Sequence, residues 1–281
     1  MTTKELAWKI RRHGIEMTHI SAASHIGSVL SVADIIAVLY NDILNIDPKN
    51  PKKEDRDRFI LSKGHAAASV YAALAEKGFF DVKELKTFYS DNSKFLGHIS
   101  KEIDGVEFSS GSLGHGLPVA AGLSYVAKKE NKPFYSYVVM GDGECDEGSV
   151  WEAALFAHHF KLDNLVAIID YNKMQSLTTC EKTISLEPFG SKWKAFGWNV
   201  IECDGHNIEE LKYSLSKDRS VKDKPTLVIA NTVKGKGVSF MENNILWHYR
   251  YPHEGEEYDN ALKELRAQKP DGCIDPYEVT K

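Results

Sequence analysis

Apolar positions along the chain follow two spacings, and each spacing predicts one kind of element. Leu6, Ile10 and Ile15 recur at helical intervals, whereas short continuous apolar runs are typical of buried strands. These patterns predict helices over 4–22, 32–44, 66–77, 81–89, 117–129, 149–160, 189–196, 208–216 and 254–268, and strands over 59–61, 134–140, 165–170, 199–203 and 226–230. The alternation predicts an α/β fold with an open, mostly parallel sheet and helices on both faces. We expect one domain over residues 1–281, with a C-terminal extension from about 232.

Polar residues near these elements predict several local features. Ser31 is a suitable N-cap for helix 32–44, and Asp34 would lie in its first turn, where an acid interacts favourably with the helix dipole. The charged run at 55–58 is expected to be solvated and residues 176–186 to form a loop. The tail after Pro270 is expected to be extended or mobile.

Two consecutive strands of the predicted sheet each end in a side chain with oxygen donors. Strand 134–140 leads into a Gly-Asp-Gly turn at 141–143, and strand 165–170 leads into Asn172. A right-handed connection places both strand ends at one edge of the sheet, where ligands bind in such folds. A helix N-terminus there favours a phosphate, but Asp142 would repel it unless a cation lies between them. The pattern therefore predicts a metal-bridged diphosphate rather than a dinucleotide, and no GxxxxGK segment of a P-loop occurs.

The Gly-Asp-Gly turn, the Glu-Gly pair at 147–148 and the segment KLDNLVAIIDYNK at 161–173 together resemble the thiamine-diphosphate motif of the transketolase family. The resemblance covers nearly the whole chain, but only the first of that family's three domains. It implies the thiamine-diphosphate-binding fold of the diphosphate-binding type, with thiamine diphosphate and Mg²⁺ or Ca²⁺ as cofactors. It also implies a transferase that moves a two-carbon ketol unit from a ketose to an aldose, usually as phosphates.

The same resemblance assigns roles at the ends of the two strands. By similarity, Asp142 and Asn172 coordinate the cation through their side chains and Met174 through its main-chain carbonyl, while the backbone N–H of Gly143 faces the diphosphate. The residues expected to bind the cofactor are His65, Gly111, Ser112, Leu113, Gly114, Gly141, Asp142, Gly143, Glu144, Asn172 and His248. On residue type alone, Asp142 and Asn172 could instead be turn residues at the strand ends.

By this resemblance, the residues expected to be catalytic are His25, His65, His98, His248 and Glu147. His65 and His248 resemble the pair that contacts the diphosphate and the reacting edge of the substrate. His25 and His98 resemble the pair that hydrogen-bonds the C1 and C2 oxygens of the donor, and imidazoles can transfer protons near neutral pH. Glu147 resembles the glutamate that reaches toward the partner's activating glutamate across the subunit interface, although it could simply cap helix 149–160.

Three segments depart from the family pattern. Residues 23–27 read Ala-Ser-His-Ile-Gly where the family usually has SGHPG, and the loss of the proline and a glycine changes the stiffness of the loop beside the donor sugar. Tyr-Arg-Tyr-Pro follows His248, which makes His248 a weaker match than His65. His115 replaces the glutamine of the family's GPLGQG, and it could touch the cofactor loop.

The loop after the last strand contains three cations that could form a basic rim for sugar phosphates: Lys234, Lys236 and Arg250. The alternative is that they are ordinary solvated side chains of a loop. In the family, the main phosphate-binding arginines lie in the second domain, for which this chain offers no counterpart.

The family's second domain also carries the activating glutamate and the pocket for the aminopyrimidine. The resemblance therefore implies the N-terminal subunit of a two-chain transketolase, active only with a C-terminal subunit, in an expected tetramer with two copies of each chain. The Ala-rich segments 66–75 and 119–127 are expected to pack closely on another helix or subunit. The alternatives are the alpha subunit of a 2-oxo acid dehydrogenase or decarboxylase, which the four histidines disfavour, and a non-catalytic subunit that kept the fold.

Composition and charge indicate where in the cell the protein is expected and which classes of partner are not expected. A net charge of −5 gives no indication of nucleic-acid binding, and no apolar run approaches the roughly 18 residues of a membrane span. The N-terminus lacks the apolar segment of a signal peptide. The four cysteines are scattered without a CxxC pair, which disfavours a disulfide framework or a zinc site. We expect a cytoplasmic protein that binds neither nucleic acid nor membranes.

Overall fold

The computed structural model describes residues 1–278, and their strands form one five-stranded parallel sheet. The strands are β1 (Arg58–Leu61), β2 (Ser136–Gly141), β3 (Leu165–Tyr171), β4 (Asn199–Asp204) and β5 (Thr226–Asn231), in the order β1-β2-β3-β5-β4. Strands β2 and β3 are neighbours, with Gly141 opposite Asp170 at their carboxyl ends. The predicted open parallel sheet is confirmed, and the two strand ends that carry the expected site lie side by side.

The helices follow the predicted alternation with the strands. They are α1 (Thr3–Ser21), α2 (Ile26–Val38), α3 (Ala67–Glu76), α4 (Gly116–Lys129), α5 (Gly148–His159), α6 (Cys180–Thr183), α7 (Phe189–Ala195), α8 (Ile208–Leu215) and α9 (Glu256–Ala267). Tighter 3₁₀ turns cover Gly64–Ala66, Val82–Thr87, Gly143–Asp146, Lys217–Arg219 and Ile245–His248. The short helix α6 lies inside segment 176–186, so the prediction of a loop is wrong there.

The sheet separates two apolar cores. On one face, β2 contributes Tyr137 and Val139, which pack with helices α1, α2, α3 and α8. On the other face, β2 contributes Val138 and Met140, which pack with α4, α5 and α7. Because successive side chains of a strand point to opposite faces, a strand that is apolar at every position must be covered on both sides.

Helix α2 begins at Ile26 rather than at residue 32, so the prediction of Ser31 as its N-cap is wrong. Ser31 and Asp34 are buried within the helix. The Ser31 hydroxyl donates to Asp170 at 2.6 Å, and Asp34 forms an ion pair with Arg11 at 2.5 Å. Both polar residues make contacts with distant segments, and a local pattern cannot distinguish such residues from a helix cap.

Two segments expected at the surface are packed into the fold. Asp57, in the charged run before β1, is 1% exposed and forms an ion pair with Lys217 at 3.1 Å. In the C-terminal tail, Asp275 is also 1% exposed and pairs with Arg12 of α1 at 3.3 Å. The expectation for residues 279–281 lies outside the described part of the chain.

The first Ala-rich segment packs on other helices of the same chain. Every residue from Ala67 to Ala75 of α3 is buried, and α3 lies against α1 and α2. Helix α4, which holds the second segment, leaves Gly122 and Val126 exposed. Of the two segments, the one in α4 therefore keeps a face that could pack on another polypeptide.

Among residues 1–278, one helical segment has the length and hydropathy of a membrane span. Helix α2 continues through a π-helical turn, Leu39–Ile43, and the 18 residues Ile26–Ile43 have a mean hydropathy of 1.6. The expectation that no apolar run approaches this length is wrong when hydropathy is averaged over the whole segment. Ser28, Ser31 and Asp34 interrupt the continuous apolar run, but the helix continues through them. In the fold 83% of the segment is buried, so it is a core helix covered by protein.

Candidate functional site

The carboxyl ends of β2 and β3 open into a pocket that brings together most of the predicted site residues. Those that line it are His25, His65, His98, Gly111, Leu113, Gly141, Asp142, Gly143, Glu144, Asn172, Met174 and His248. The others, Ser112, Gly114 and Glu147, lie outside its lining. Residues that are distant in sequence therefore share one cavity at the sheet edge where ligands bind in open α/β folds.

Asp142 presents a buried carboxylate at the end of β2. It is 2% exposed and accepts hydrogen bonds from the backbone N–H groups of Gly143 at 2.8 Å and Lys173 at 2.5 Å. Burial, reinforced by the nearby Asp170, raises the pKa of Asp142 to about 6. The raised pKa reflects burial and the like charge of Asp170, and a bound cation would stabilise the ionised form of Asp142.

Asn172 and Met174 place two further oxygens on the same pocket. The Asn172 amide nitrogen donates to the Ser31 hydroxyl at 3.2 Å, and its amide oxygen accepts from the backbone N–H of Met174 at 3.1 Å. A carboxylate, an amide oxygen and a carbonyl are the hard donors that Mg²⁺ and Ca²⁺ prefer. Within residues 1–278, no three His, Cys, Asp or Glu side chains form a metal cage. A cation here would therefore need further oxygens, such as those of a diphosphate.

Two buried lysines face this pocket: the sequence gave Lys63 no role, and it placed Lys234 only on a possible basic rim. Lys63 is 2% exposed and forms an ion pair with Asp170. Lys234 is 1% exposed, and its ammonium contacts the Gln175 carbonyl at 3.1 Å and Nδ1 of His248 at 3.0 Å. Burial, with a further contribution from Lys63, lowers the pKa of Lys234 to about 8. Lysine and glycine are so common in loops that the two Lys-Gly steps alone gave no signal of this burial.

The predicted basic rim of the pocket does not form. Lys234 lies on the pocket floor rather than on its rim. Lys236 lies 3.8 Å from Glu242, and Arg250 pairs with Glu257 at 2.5 Å. Each of these two outer cations therefore has an acidic neighbour on the same chain.

The four predicted histidines form one cluster. Ring centroids are 5.1 Å apart for His25 and His248, 5.3 Å for His25 and His65, 5.6 Å for His25 and His98, and 5.6 Å for His65 and His248. His98 is exposed, whereas His248 is buried, so the cluster extends from the pocket mouth inward. The weaker sequence match at His248 does not prevent it from joining the other three.

The cluster is uncharged at neutral pH. Burial is the largest cause of a lowered pKa in all four rings, to about 4 for His25 and about 3 for His248. Positive neighbours add to the effect, including Lys63 and Lys234 around His25. Neutral imidazoles of this kind can accept a proton or a hydrogen bond from a hydroxyl group.

Glu144, which lines the pocket, connects three segments of the chain. Its carboxylate accepts from the Ser62 hydroxyl and from the backbone N–H groups of Gly114 at 2.9 Å and Gly141 at 3.3 Å. Gly114 has a φ of +79°, a conformation that favours glycine. Glu144 and Gly114 therefore shape the loops that carry the pocket.

Glu147 and His115 lie away from the pocket lining. Glu147 is exposed just before α5 and makes no side-chain cap to that helix, so the capping alternative is wrong. His115 is exposed, and its Nδ1 contacts the carbonyl of Leu113 in its own loop at 2.9 Å. Glu147 is thus available to a second polypeptide, whereas His115 braces its own loop.

Comparisons with known proteins agree on one family. Residues 2–262 match the family model described as the thiamine diphosphate binding domain of transketolase. A subunit of the apulose-4-phosphate transketolase of Phocaeicola vulgatus is 41% identical over 257 residues, which are 92% of this chain and 91% of that protein. The 6-deoxy-6-sulfo-D-fructose transketolase subunit SqwG of a Clostridium species is 39% identical, over 92% of this chain and 94% of that protein.

Solved structures share the fold. The transketolase of Campylobacter jejuni superposes with a TM-score of 0.87 at 30% identity, covering 95% of this chain and 45% of that one. The transketolase of Leishmania mexicana also gives a TM-score of 0.87, at 28% identity, covering 95% and 41%. The chain therefore spans less than half the length of these solved proteins, but most of the length of the two subunits named above.

Proposed function

The chain belongs to the transketolase family, and from this premise we propose that it is the diphosphate-binding subunit of a two-subunit transketolase. With a C-terminal partner subunit, it transfers a two-carbon ketol unit from a ketose to an aldose. The two relatives described above are each named as a subunit, and the chain covers 91% and 94% of their lengths, which supports this assignment.

One observation carries the proposal. Four imidazoles from four separate segments converge on the same pocket as Asp142 and Asn172. A diphosphate site alone has no need of four neutral histidines. Proton transfer and hydrogen bonding at a polyhydroxylated substrate do need them, because breaking and forming a ketose moves protons on hydroxyl oxygens.

The floor of the pocket suits a cation and a diphosphate. When bound, thiamine diphosphate supplies the carbon nucleophile that carries the two-carbon unit between sugars. Asp142, Asn172 and the Met174 carbonyl would hold Mg²⁺ or Ca²⁺, and the raised pKa of Asp142 supports a cation there. The ammonium groups of Lys63 and Lys234 would balance the remaining charge of the diphosphate.

The histidines act on the sugar. The rings of His25 and His98 have centroids 5.6 Å apart, and their neutral forms would hydrogen-bond the hydroxyl and carbonyl oxygens of the donor. His65 and His248 are proposed to contact the diphosphate and the reacting edge of the substrate, and Nδ1 of His248 lies 3.0 Å from the Lys234 ammonium. Burial keeps the four rings uncharged at neutral pH, so each can accept a hydrogen bond from a hydroxyl group of the sugar.

A partner polypeptide completes the site in this proposal. The exposed Glu147 stands before α5 and is free to reach a glutamate of the partner that activates the aminopyrimidine. Two copies of each chain, in a heterotetramer, are the assembly that we propose. The proposed setting is the cytoplasm.

The donor and acceptor are proposed to be sugars or sugar derivatives that carry an anionic group. The names of the relatives refer to a sugar phosphate in one case and to a sulfonated sugar in the other. Lys236 and Arg250 lie beside acids of their own chain, so we expect the partner to bind the anionic end. The names of these two relatives favour a transketolase subunit over the alternative of a 2-oxo acid dehydrogenase or decarboxylase subunit.

Reconstitution tests the proposed function. The chain is co-expressed with the polypeptide encoded by its neighbouring reading frame, and ketol transfer is measured with thiamine diphosphate and Mg²⁺. Ketose-dependent formation of a lengthened sugar is the expected result. Activity that instead requires a 2-oxo acid and a lipoyl carrier would contradict the proposal.

A further inference from the structure

Asp170 is a buried carboxylate to which neither the sequence nor the resemblance gave a role. It is the penultimate residue of β3, is 0% exposed, and is separated from Asn172 by one residue. It lies behind the pocket rather than in its lining. A charge so deeply buried needs several partners, and the identity of those partners indicates what the charge does.

Both oxygens of Asp170 are fully engaged. Oδ1 accepts from the Ser31 hydroxyl at 2.6 Å and from the Thr232 hydroxyl. Oδ2 accepts from the Lys63 ammonium and from the amide nitrogen of Asn172 at 3.4 Å. Burial alone would raise the pKa of Asp170, but Lys63 and the two hydroxyls lower it, so the carboxylate stays ionised.

The network fixes which way the Asn172 amide faces. A carboxylate can only accept, so the NH₂ of Asn172 must face Asp170, and it also donates to the Ser31 hydroxyl at 3.2 Å. The amide oxygen is therefore turned away from Asp170, toward the backbone N–H of Met174. The opposite orientation would present to a cation the NH₂ group, which cannot coordinate it.

The same carboxylate holds Lys63. Its ammonium pairs with Asp170 while the residue lines the pocket that also contains Asp142 and Lys234. Without this partner, Lys63 would be a buried, unpaired charge close to a second lysine. Asp170, although outside the pocket lining, therefore contacts both the Asn172 amide and the Lys63 ammonium.

We propose that Asp170 is a positioning residue of the cation and diphosphate site, acting through the Asn172 amide and the Lys63 ammonium. The inference rests on the proposed function only for the identity of the group that binds. Groups behind the ligands of a metal orient those ligands, and their loss typically weakens metal affinity by about 10- to 100-fold.

The test measures the binding of Mn²⁺, together with inorganic diphosphate, to the full-length chain. Electron paramagnetic resonance detects the bound Mn²⁺. Asp170→Leu removes both acceptor oxygens at similar volume, and we expect it to weaken Mn²⁺ binding about 10- to 100-fold. The matched control is Asp57→Leu, since Asp57 is also buried and paired with a lysine, but precedes β1 at the opposite edge of the sheet. We expect the control to lose stability without losing Mn²⁺ affinity.

A second pair of variants separates positioning from folding. Asp170→Leu alone leaves the Lys63 ammonium buried without its partner. Adding Lys63→Met removes that charge and should restore much of the stability. We expect this double variant to bind Mn²⁺ more weakly than Lys63→Met alone, by a factor of about 10 or more, because the Asn172 amide is no longer held. Equal affinity of the two would overturn the inference, as would wild-type affinity in Asp170→Leu.

The two proposals can fail separately. Suppose that the wild-type complex shows no ketol transfer, but that the chain still binds Mn²⁺ and diphosphate in a way that depends on Asp170. This result would overturn the proposed reaction and leave the inference about Asp170 standing. Wild-type protein that binds no Mn²⁺ with diphosphate would overturn the inference itself.

Discussion

The backbone N–H of His25 donates a hydrogen bond to the carbonyl oxygen of His248, at 2.8 Å. The two rings are nearly perpendicular, at 87°, with centroids 5.1 Å apart. His25 adopts a left-handed backbone with φ of 78°, which Asn tolerates better than most residues. The loop before α2 and the loop after β5 are thereby joined at the pocket, and substitutions at residue 25 must respect this backbone.

Loss of the imidazoles at His25 or His98 is expected to slow turnover. His25→Asn keeps the left-handed backbone, and His98→Ala affects an exposed side chain. Each should reduce kcat by about 10²-fold or more, because a group that transfers protons to the donor is lost. Steady-state kinetics with a ketose donor in the reconstituted complex measures this.

Cofactor affinity serves as the internal control for these variants. It should change little, since neither ring is among the proposed ligands of the cation or the diphosphate. His253→Ala, at an exposed histidine outside the pocket, should behave as the wild type. Wild-type kcat in both active-site variants would reduce His25 and His98 to structural loop residues.

Replacement of Asp142 is expected to abolish cation-dependent cofactor binding. Asp142→Asn keeps the shape but removes the only full negative charge among the three proposed ligands, so the diphosphate would no longer be bridged. Isothermal titration of the reconstituted complex with thiamine diphosphate and Mg²⁺ is the measurement. Asp163→Asn, at a carboxylate in the loop before β3, is the control and should bind normally. Unchanged affinity in Asp142→Asn would refute the metal assignment.

The contribution of His25 to stability is expected to be lost as the pH falls from about 6.5 toward 4. The pKa of His25 is lowered from 6.5 to about 4, mainly by burial, so the unfolded state binds more protons in this window. The stability that depends on a neutral His25 is present above pH 6.5 and is lost as the pH falls through the folded pKa. Urea unfolding at about pH 7 and about pH 5, on either side of the unfolded pKa, measures the difference.

His25→Asn provides the comparison for this pH dependence. Its unfolding free energy should fall less steeply between the two pH values, because one buried ring no longer has to gain a proton. Identical slopes for variant and wild type would mean that the ring is solvated enough to titrate normally.

The purified chain is expected to be catalytically silent until its partner is added. Glu147 is exposed, and α4 leaves Gly122 and Val126 at the surface, where they can meet another polypeptide. Size-exclusion chromatography with light scattering, beside a ketol-transfer assay, tests association and activity together. A chain that is fully active by itself would defeat the two-subunit proposal.

Gly122→Glu offers a matched variant for the association. A Cβ at Gly122 would meet no atom within 4 Å beyond its two chain neighbours and the backbone of its own helix, so the substitution should leave the fold intact. If the α4 face contacts the partner, the added charge should weaken association and lower activity at limiting partner concentration. Undiminished association would exclude this face and leave the surface around Glu147 as the expected contact.

The apolar pattern along the chain correctly predicted the strands and helices whose apolar residues form the two cores. The apolar runs of β2 and β3 are buried on both faces, and the alternation with helices leaves few other arrangements of the sheet. The predictions that were wrong concern polar residues with distant partners. Ser31, Asp57 and Asp275 each look like a surface or capping residue, but each is buried by a contact with a segment far away in sequence.

The amino-acid sequence by itself determined the parallel α/β fold, the position of Asp142 and Asn172 at neighbouring strand ends, and the candidate histidines. It could do so because strand periodicity and turn chemistry are local, and because the motif spacing is retained. Only the tertiary structure decided that Lys63 and Lys234 are buried on the pocket floor, that Glu144 joins three loops, and that Asp170 contacts the Asn172 amide. Burial and charge pairing depend on which distant segments meet, and no local pattern along the chain contains that information.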